Sequence, residues 1–398
     1  MNSVVRQMWE QNTDVVMVDT GNSYEGLCEY VGGKYISYTD EHPITMNPFS
    51  IKREELNIEK IGFLKNLIML IWKGTQGEVT KTEDRLVEQV ITEYFDEYFV
   101  KKRIDNLSFN TFYEYSTARI PDIIKENNLA GIDLAAYNYL LKDFYKGGSH
   151  ELTLNENLDT KLFDETFIVF EIDSIKDDPL LFPLVTLIIM DVFIQKMRIK
   201  KNRKVLVIEE AWKAIASPMM AEYIKYLYKT ARKFWASVGV VTQEIQDIVG
   251  SPIVKEAIIN NSDVVMLLDQ AKFRERFDEI KAILGLTDVD CKKIFTINRL
   301  ENKEGRSFFR EVFIRRGSVG AVFGVEEPHE CYMTYTTERA EKEALKLYKK
   351  ELQCDHQHAI EAYCRDWELS GISKSLPFAQ KVNQTGHVLH LSPNNHSE

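Results

Sequence analysis

The stretch "KVLVIEEAWKAI", residues 204–215, runs from an apolar segment directly into two adjacent acids, Glu209 and Glu210, with Trp212 just beyond. Its nearly continuous aliphatic residues are typical of a strand that is buried on both faces of a sheet. Acids at the end of such a strand would lie at the sheet edge where α/β proteins bind their ligands. The stretch therefore predicts a fold class and the place of a site.

Four more short apolar runs occur in the chain, each followed by a helical pattern. They are "DVVMVD" (14–19), "TFIVFEID" (166–173), "ASVGVVTQ" (236–243) and "DVVMLLDQ" (263–270). Strands that alternate with helices favour a mostly parallel sheet, with helices on both faces and right-handed crossovers. We expect an α/β fold of three layers that contains all five strands.

The segment from 54 to about 146 has apolar residues at helical spacing throughout, which predicts an all-helical insertion that leaves through a loop at 146–157. Near the C-terminus, "RSFFREVFIRRGSVGAVFGVE" predicts a β-hairpin that turns at Gly317 and Ser318. We expect five parts in chain order: 1–53, the start of the α/β core; 54–150, the insertion; 151–335, the remainder of the core; 336–373, C-terminal helices; and 374–398, a flexible polar tail.

The composition is that of a globular protein, with 44% hydrophobic and 28% charged residues. A formal net charge of −11 argues against coating of nucleic acid, although a local basic groove is compatible with it. Five scattered cysteines do not form a disulfide framework, and the N-terminus lacks a signal-peptide pattern, so we expect a cytoplasmic protein. The longest apolar run, Pro179 to Phe193, is too short to span a bilayer and predicts a core helix.

Paired acids after a buried parallel strand are typical of the Walker B motif of nucleotide-hydrolysing enzymes, where they manage Mg²⁺ and the attacking water. The structural alternative is that Glu209 and Glu210 favour the positive end of the following helix. One strand later, Gln243 would lie at the same edge as a sensor or water-orienting group, while Thr242 could instead cap a helix. Arg232, within "YKTARKF" (228–234), could reach a neighbouring subunit's phosphate, although a solvated helix end is the more common explanation of such a residue taken alone.

The combination of "VLVIEEAWKAI", "KTARKF" and "VGVVTQEIQDI" resembles the motor domain of TraG-type conjugation ATPases, the energising subunits of type IV secretion systems in the HerA/FtsK group. The early segment "VVMVDTGNSYEGLCEYVGGKYISYTDEHPITMNPF" (15–49) is also similar to that family. The resemblance covers most of residues 1 to about 330. It implies a RecA-like P-loop core with a helical insertion.

The resemblance also implies a set of roles. Glu210 would be the catalytic base and Glu209 the magnesium-side acid, acting through a water molecule. Asp19 would lie on the cofactor side, Gln243 would be the sensor, and Arg232 would act on a neighbouring subunit. The implied cofactors are ATP and Mg²⁺. The implied partners are other secretion subunits at the inner membrane and further copies of the chain in a hexamer, whereas the net charge does not indicate DNA.

Two features depart from the family pattern. Relatives commonly carry Asp where this chain has Glu209, whose carboxylate reaches about 1.5 Å further, one C–C bond. No G-x-x-x-x-G-K-[ST] motif occurs in the 398 residues. On the family pattern, we expect the chain to begin just after the P-loop. We therefore predict that this polypeptide alone binds ATP weakly, because the P-loop supplies the backbone amides and the lysine that hold the phosphates.

Alternatives from the same class and from a different class remain. The chain could belong to a DNA-pumping coupling protein or a HerA/FtsK-like translocase, or it could be a non-catalytic subunit that docks through its helical insertion. A zinc site from Cys354, His356, His358 and Cys364 is a weaker hypothesis because the spacing is irregular. The basic run "KMRIKKNRK" (196–204) is typical of a solvated helix end.

Overall fold

A computed structural model describes residues 1–39, 41–157, 159–210, 218–242, 258–299 and 309–389. The chain forms two compact units. The first consists of Met1–Gln11, Gly21–Tyr35 and Ile259–Glu398, and the second of Asn12–Thr20 and Ile36–Ile258. These units do not follow the expected domain bounds, because the division after Ile258 falls inside the segment 151–335 that we assigned to one core.

The second unit is built on a five-stranded sheet of order β2-β3-β1-β4-β5. The strands are β1 (Thr13–Asp19), β2 (Lys34–Ser37), β3 (Phe167–Glu171), β4 (Arg203–Ile208) and β5 (Ala236–Val240). The strand β1 pairs in parallel with both β3 and β4, and β4 pairs in parallel with β5. Every residue of β1 and β3 is buried, which explains their continuous apolar runs. The predicted parallel sheet is confirmed for four of the five apolar runs.

Helices cover this sheet. The helix α8 (Leu181–Ile199) packs on β1 and β4, and it is buried along nearly its whole length. The core helix that we predicted from the longest apolar run is confirmed. A later helix, α9 (Pro218–Ala231), packs on α8 and β5. Among the described helices, none combines the length and apolar character that crossing a bilayer requires.

Between β2 and β3 the second unit is helical, as the apolar spacing predicts. The helices are α3 (Ile58–Lys73), α4 (Lys81–Phe95), a π-helical continuation (Asp96–Lys102), α5 (Phe109–Glu126), α6 (Leu134–Leu141) and α7 (Glu151–Asn155). Their core is aromatic: the ring of Phe49 contacts Tyr94, Phe95, Phe109 and Phe112. The expected exit loop at 146–157 was partly wrong, because Thr153 and Leu154 are buried and the chain makes one helical turn there.

A buried ion pair joins this helical segment to the core. The ammonium of Lys60 on α3 lies 2.9 Å from a carboxylate oxygen of Asp191 on α8, and both side chains are less than a tenth exposed. The amide of Gln195 donates to the same oxygen of Asp191 at 2.7 Å. Buried charges require such partners, since an unpaired charge away from water is costly. Asp191 is the acid within the longest apolar run. Its ion pair with Lys60 explains why a charged residue occurs in that run.

The first unit contains a second sheet, in which β6 (Val264–Leu267), β7 (Phe309–Arg316) and β8 (Val319–Glu326) are antiparallel. The predicted hairpin at Gly317 and Ser318 is confirmed. Our assignment of 263–270 to the parallel sheet was wrong, because β6 pairs with β7. A short apolar run has the same appearance in either type of sheet, and pairing across 40 or more residues of chain cannot be read from it.

Helices make up the rest of the first unit. They are α1 (Asn2–Glu10), α2 (Glu25–Tyr30), α10 (Phe277–Leu284), α11 (Asp288–Ile294), α12 (His329–Tyr335), α13 (Arg339–Leu352), α14 (His356–Leu369) and α15 (Ser375–Thr385). The expectation of a flexible tail from Lys374 was wrong for α15. Phe378, Ala379 and Val382 are fully buried on one side of that helix, and Phe378 contacts Tyr363 edge to face. Three apolar residues at helical spacing are enough to anchor an otherwise polar segment.

The start of α4 gives a pH-dependent prediction. The Glu83 carboxylate accepts hydrogen bonds from the Thr80 amide at 3.0 Å, the Thr80 hydroxyl at 2.9 Å and the Lys73 ammonium. Burial opposes ionisation, but the hydrogen bonds from Lys73 and Thr80 outweigh it and lower the pKa of Glu83. A folded pKa below the unfolded value of about 4.3 stabilises the fold above that pH, and the contribution is lost as pH falls through the folded pKa.

We therefore expect Glu83→Gln to lower the free energy of unfolding by about 1–2 kcal/mol near neutral pH. The difference from the wild type should shrink as the pH falls below about 4.3 and through the folded pKa of Glu83. Urea denaturation across this pH range measures both effects. Glu88→Gln is the matched control on the same helix, because Glu88 is more than a third exposed in its pairs with Lys65 and Arg85. An equal acid dependence in both variants would contradict the assignment.

Candidate active site

Acidic residues follow the central strands of the parallel sheet at its carboxyl edge. Asp19 ends β1 and lies directly beside Glu171, the last residue of β3, in the parallel register. Both residues are buried, with exposed fractions of 0% and 4%. The amide of Glu209, the residue after β4, donates to the Val18 carbonyl at 3.0 Å and continues the strand pairing by one residue. Asp19, Glu171 and Glu209 therefore lie at the ends of three adjacent strands.

Glu171 is a site candidate that our sequence reasoning missed. One of its carboxylate oxygens accepts a hydrogen bond from the Asp173 amide at 2.8 Å, which fixes the side chain at the turn after β3. The signal was present in "TFIVFEID", where an acid follows an apolar run just as Glu209 does. We read that stretch only for burial, and the sheet order was needed to place β3 next to β1.

The backbone of Glu210 adopts a left-handed conformation, with φ of 49°. This region is uncommon for residues other than glycine, and it costs roughly 1–2 kcal/mol for an ordinary side chain. Strained residues of this kind concentrate at functional sites, where the surroundings hold them in place. Both Glu209 and Glu210 are half-buried in the turn that follows β4.

The next strand reaches the same edge. The Val241 amide donates to the Ile208 carbonyl at 3.0 Å, so the pairing of β5 with β4 continues up to the position of the acids. Thr242 follows and is half-buried. Gln243, the predicted sensor, and Trp212 lie outside the described residues, so their predicted roles stay predictions.

Arg232 lies at the opposite edge of the sheet. It begins the short 3-10 helix Arg232–Phe234 that precedes β5, and its side chain is exposed. The amide of Lys204, near the start of β4, donates to the Trp235 carbonyl at 3.0 Å, which aligns the beginnings of the two strands. Because parallel strands run in one direction, Arg232 is separated from Glu209 by the length of β5, roughly 16 Å. Within one chain, the structure does not bring Arg232 to the acids.

Part of the basic run 196–204 is buried at this amino edge. The Lys196 ammonium is fully buried and lies 2.9 Å from a carboxylate oxygen of Asp14 on β1. The ammonium of Lys204, also buried, donates to the carbonyls of Asn202 and Phe234. The prediction that this run is a solvated helix end was therefore wrong for these two lysines. Both are buried at the amino edge of the sheet.

Comparison with known proteins identifies the family. The family model of the TraG P-loop domain matches residues 1–367. The chain belongs to this family. Protein TraC of Escherichia coli (strain K12) is 23% identical over 290 residues, which are 70% of this chain and 31% of TraC. The chain thus spans about a third of the length of this curated relative.

Two solved structures have a fold similar to that of this chain. The structure of VirB4 of Thermoanaerobacter pseudethanolicus matches with a TM-score of 0.59 at 19% identity, covering 82% of this chain and 85% of VirB4. The unbound conjugative coupling protein TrwB matches with a TM-score of 0.51 at 12% identity, covering 82% and 81% of the two chains. The expected RecA-like α/β fold, with its mostly parallel sheet and helical insertion, is confirmed.

The residues of this TraG-family chain fit one half of a magnesium-nucleotide site. Asp19, Glu171, Glu209 and Glu210 end or follow adjacent strands, but no three acids among the described residues come close enough to ligate a metal ion directly, so Mg²⁺ would be held through its water shell. The other half would be a phosphate cradle, and the sequence of 398 residues contains no G-x-x-x-x-G-K-[ST] motif for it. Four acids alone present only negative charge to a phosphate chain, which repels it.

The zinc hypothesis gains no support. His356 lies 3.4 Å from a Glu29 carboxylate oxygen, and His358 pairs with Asp355 at 2.8 Å. The hydrogen bond that His358 donates to the Asp355 carboxylate raises the pKa of His358, whereas burial lowers the pKa of His356. In the described part of the chain, no three His, Cys, Asp or Glu side chains come together in a way that could hold a metal ion.

Proposed function

We propose that this chain is the motor part of an ATPase subunit in a conjugative transfer apparatus of the type IV secretion class. The observation that carries the proposal is the row of acids at the carboxyl edge of a parallel sheet, in a chain of the TraG P-loop family. The similar proteins TraC, VirB4 and the coupling protein TrwB support the assignment to conjugation. One TrwB structure is a complex with ADP and Mg²⁺, which supports these ligands for the family.

In this proposal the residues have separate tasks. Bound ATP with Mg²⁺ would supply the terminal phosphoryl group. Glu209 would hold the water shell of the magnesium ion, with Asp19 beside it on the cofactor side, and Glu210 would take a proton from the attacking water. Gln243 orients that water. Arg232, exposed at the far edge of the sheet, acts on the site of a neighbouring copy, which requires a ring such as a hexamer.

The place of Arg232 supports action between copies. An arginine roughly one strand length from the acids of its own chain cannot contact the same phosphate group. An exposed guanidinium at a surface can contact a neighbour, where it would stabilise the charge of phosphoryl transfer. The partners we propose are therefore further copies of this chain and other secretion subunits at the inner membrane face. A DNA-pumping coupling protein is the alternative within the same class, and the similarity to TrwB favours it.

A non-catalytic docking subunit is the alternative from a different class. The observation that favours it is the lack of the G-x-x-x-x-G-K-[ST] motif in the 398 residues. Such a subunit would bind secretion partners through its helical segment without turnover. Co-purification with those partners that persists in Glu210→Gln is expected for both functions, so activity must distinguish them.

Assays of the purified 398-residue polypeptide test whether ATP hydrolysis requires the G-x-x-x-x-G-K-[ST] motif, which its sequence does not contain. We expect ATP turnover indistinguishable from a buffer blank, and no change in Glu210→Gln, because phosphoryl transfer depends almost entirely on positioned phosphate-binding groups. Phosphate release and ATP titration measure both properties. Robust turnover that disappears in Glu210→Gln would show that the chain holds a complete site, and the prediction would be wrong.

A further inference from the structure

The first compact unit contains a cavity that is lined by positively charged side chains. It has a volume of about 430 Å³ and lies between the 3-10 helix Ala271–Arg276, α11 and the turn after α11. A cavity of this size accommodates a small ligand. It is lined by Arg274, Cys291, Lys292, Phe295, Thr296 and Arg299. Three of these six side chains are cations, and none is a carboxylate.

The three cations have no ion-pair partner within the described part of the chain. Arg274, Lys292 and Arg299 are exposed, and none forms an ion pair with any residue that the structure describes. The nearby acid Asp288 is already paired with Lys281 at 2.5 Å. In a chain with a net charge of −11, three cations around one cavity with no ion-pair partner among the described residues are a local exception. Their mutual repulsion is unfavourable until an anion enters, so the site favours a ligand with several negative charges.

Aromatic packing fixes part of this arrangement. The guanidinium carbon of Arg274 lies 5.0 Å from the ring centroid of Phe295, within cation-π distance. Phe295 itself packs edge to face against Phe277, with centroids 4.7 Å apart, and Phe277 is only 4% exposed. Because the guanidinium of Arg274 covers the ring of Phe295, stacking of a nucleic-acid base there is disfavoured. The arrangement instead holds one planar cation ready for an oxyanion.

We propose that this cavity binds a small ligand that carries two or three linked phosphate groups. Arg274 and Arg299 offer planar donor pairs that match phosphate oxygens, and Lys292 adds a point charge. The Thr296 hydroxyl can donate a further hydrogen bond. The site belongs to the first compact unit, whereas Glu209 and Glu210 belong to the second, so this inference does not rest on the proposed ATPase function.

Tripolyphosphate is the probe, and calorimetric titration of the full chain measures its binding. We expect Arg299→Gln and Lys292→Gln each to weaken binding about tenfold, since a charged hydrogen bond contributes about 1.5–3 kcal/mol in general. Lys272→Gln is the matched control: it removes one positive charge from the 3-10 helix that carries Arg274, but Lys272 does not line the cavity. Circular dichroism shows whether each variant folds. Binding should be unchanged in Lys272→Gln.

Cys291 gives a second readout inside the cavity. Burial raises the pKa of the Cys291 thiol, so alkylation with N-ethylmaleimide is run at mildly alkaline pH and followed by peptide mass spectrometry. Tripolyphosphate should slow modification of Cys291 and leave the half-buried Cys331 and Cys354 unaffected. The proposal is overturned if tripolyphosphate does not bind, if Lys272→Gln weakens binding as much as Arg299→Gln, or if a single-stranded oligonucleotide binds here and tripolyphosphate does not.

Discussion

Replacing Asp191 by alanine is expected to lower the free energy of unfolding by about 3–5 kcal/mol. The substitution leaves the Lys60 ammonium, only 9% exposed, without the carboxylate that lies 2.9 Å away. Loss of one partner from a buried pair is costly because the remaining charge keeps its desolvation penalty. Urea denaturation of the purified chain, followed by circular dichroism, measures the change.

Two controls make this prediction specific. Lys65→Met removes a charge from α3, the helix that carries Lys60, but its partners Asp84 and Glu88 are 45% and 37% exposed, so we expect a loss of only about 0–1 kcal/mol. The double variant Lys60→Met/Asp191→Leu removes both buried charges and should recover most of the stability lost in Asp191→Ala. If Asp191→Ala costs no more than Lys65→Met, the pair does not hold the helical segment on the core.

Local sequence patterns predicted where the strands and helices lie better than they predicted which strands pair with one another. Continuous apolar runs gave the buried strands β1, β3 and β4, because a strand covered on both faces has no polar side. The run at β6 has the same composition, yet it belongs to the antiparallel sheet. Contacts between distant segments determine which strands pair, and a local run of four residues does not show which contacts those are. The helix α15 was missed because only three of its apolar residues mark its buried side.

The candidate site was predicted in part for a similar reason. Glu209 and Glu210 were found because two adjacent acids after an apolar strand form a local pattern. Glu171 was missed because its importance comes from the sheet order, which places β3 beside β1. Arg232 was identified by composition, but only the strand directions show that it lies at the edge opposite to the acids.

The largest functional effect is expected for Glu210. When Glu210→Gln is introduced into the gene at its native locus, with all adjoining coding sequence retained, conjugative transfer should fall by roughly 10²–10⁴-fold, the usual contribution of a general base. Glutamine keeps the size of the side chain but cannot accept the proton of the attacking water. Glu156→Gln is the matched control, since Glu156 is exposed and lies outside the acid row. Immunoblotting shows whether both variants accumulate to the wild-type level.

The most direct test of the central claim is therefore the transfer frequency of Glu210→Gln beside that of Glu156→Gln in the same mating assay. A fall of about 100-fold or more in Glu210→Gln alone, at normal protein level, is the result we predict. Equal transfer by both variants and the wild type would contradict a hydrolytic role for the acids at the sheet edge, and it would favour the docking subunit.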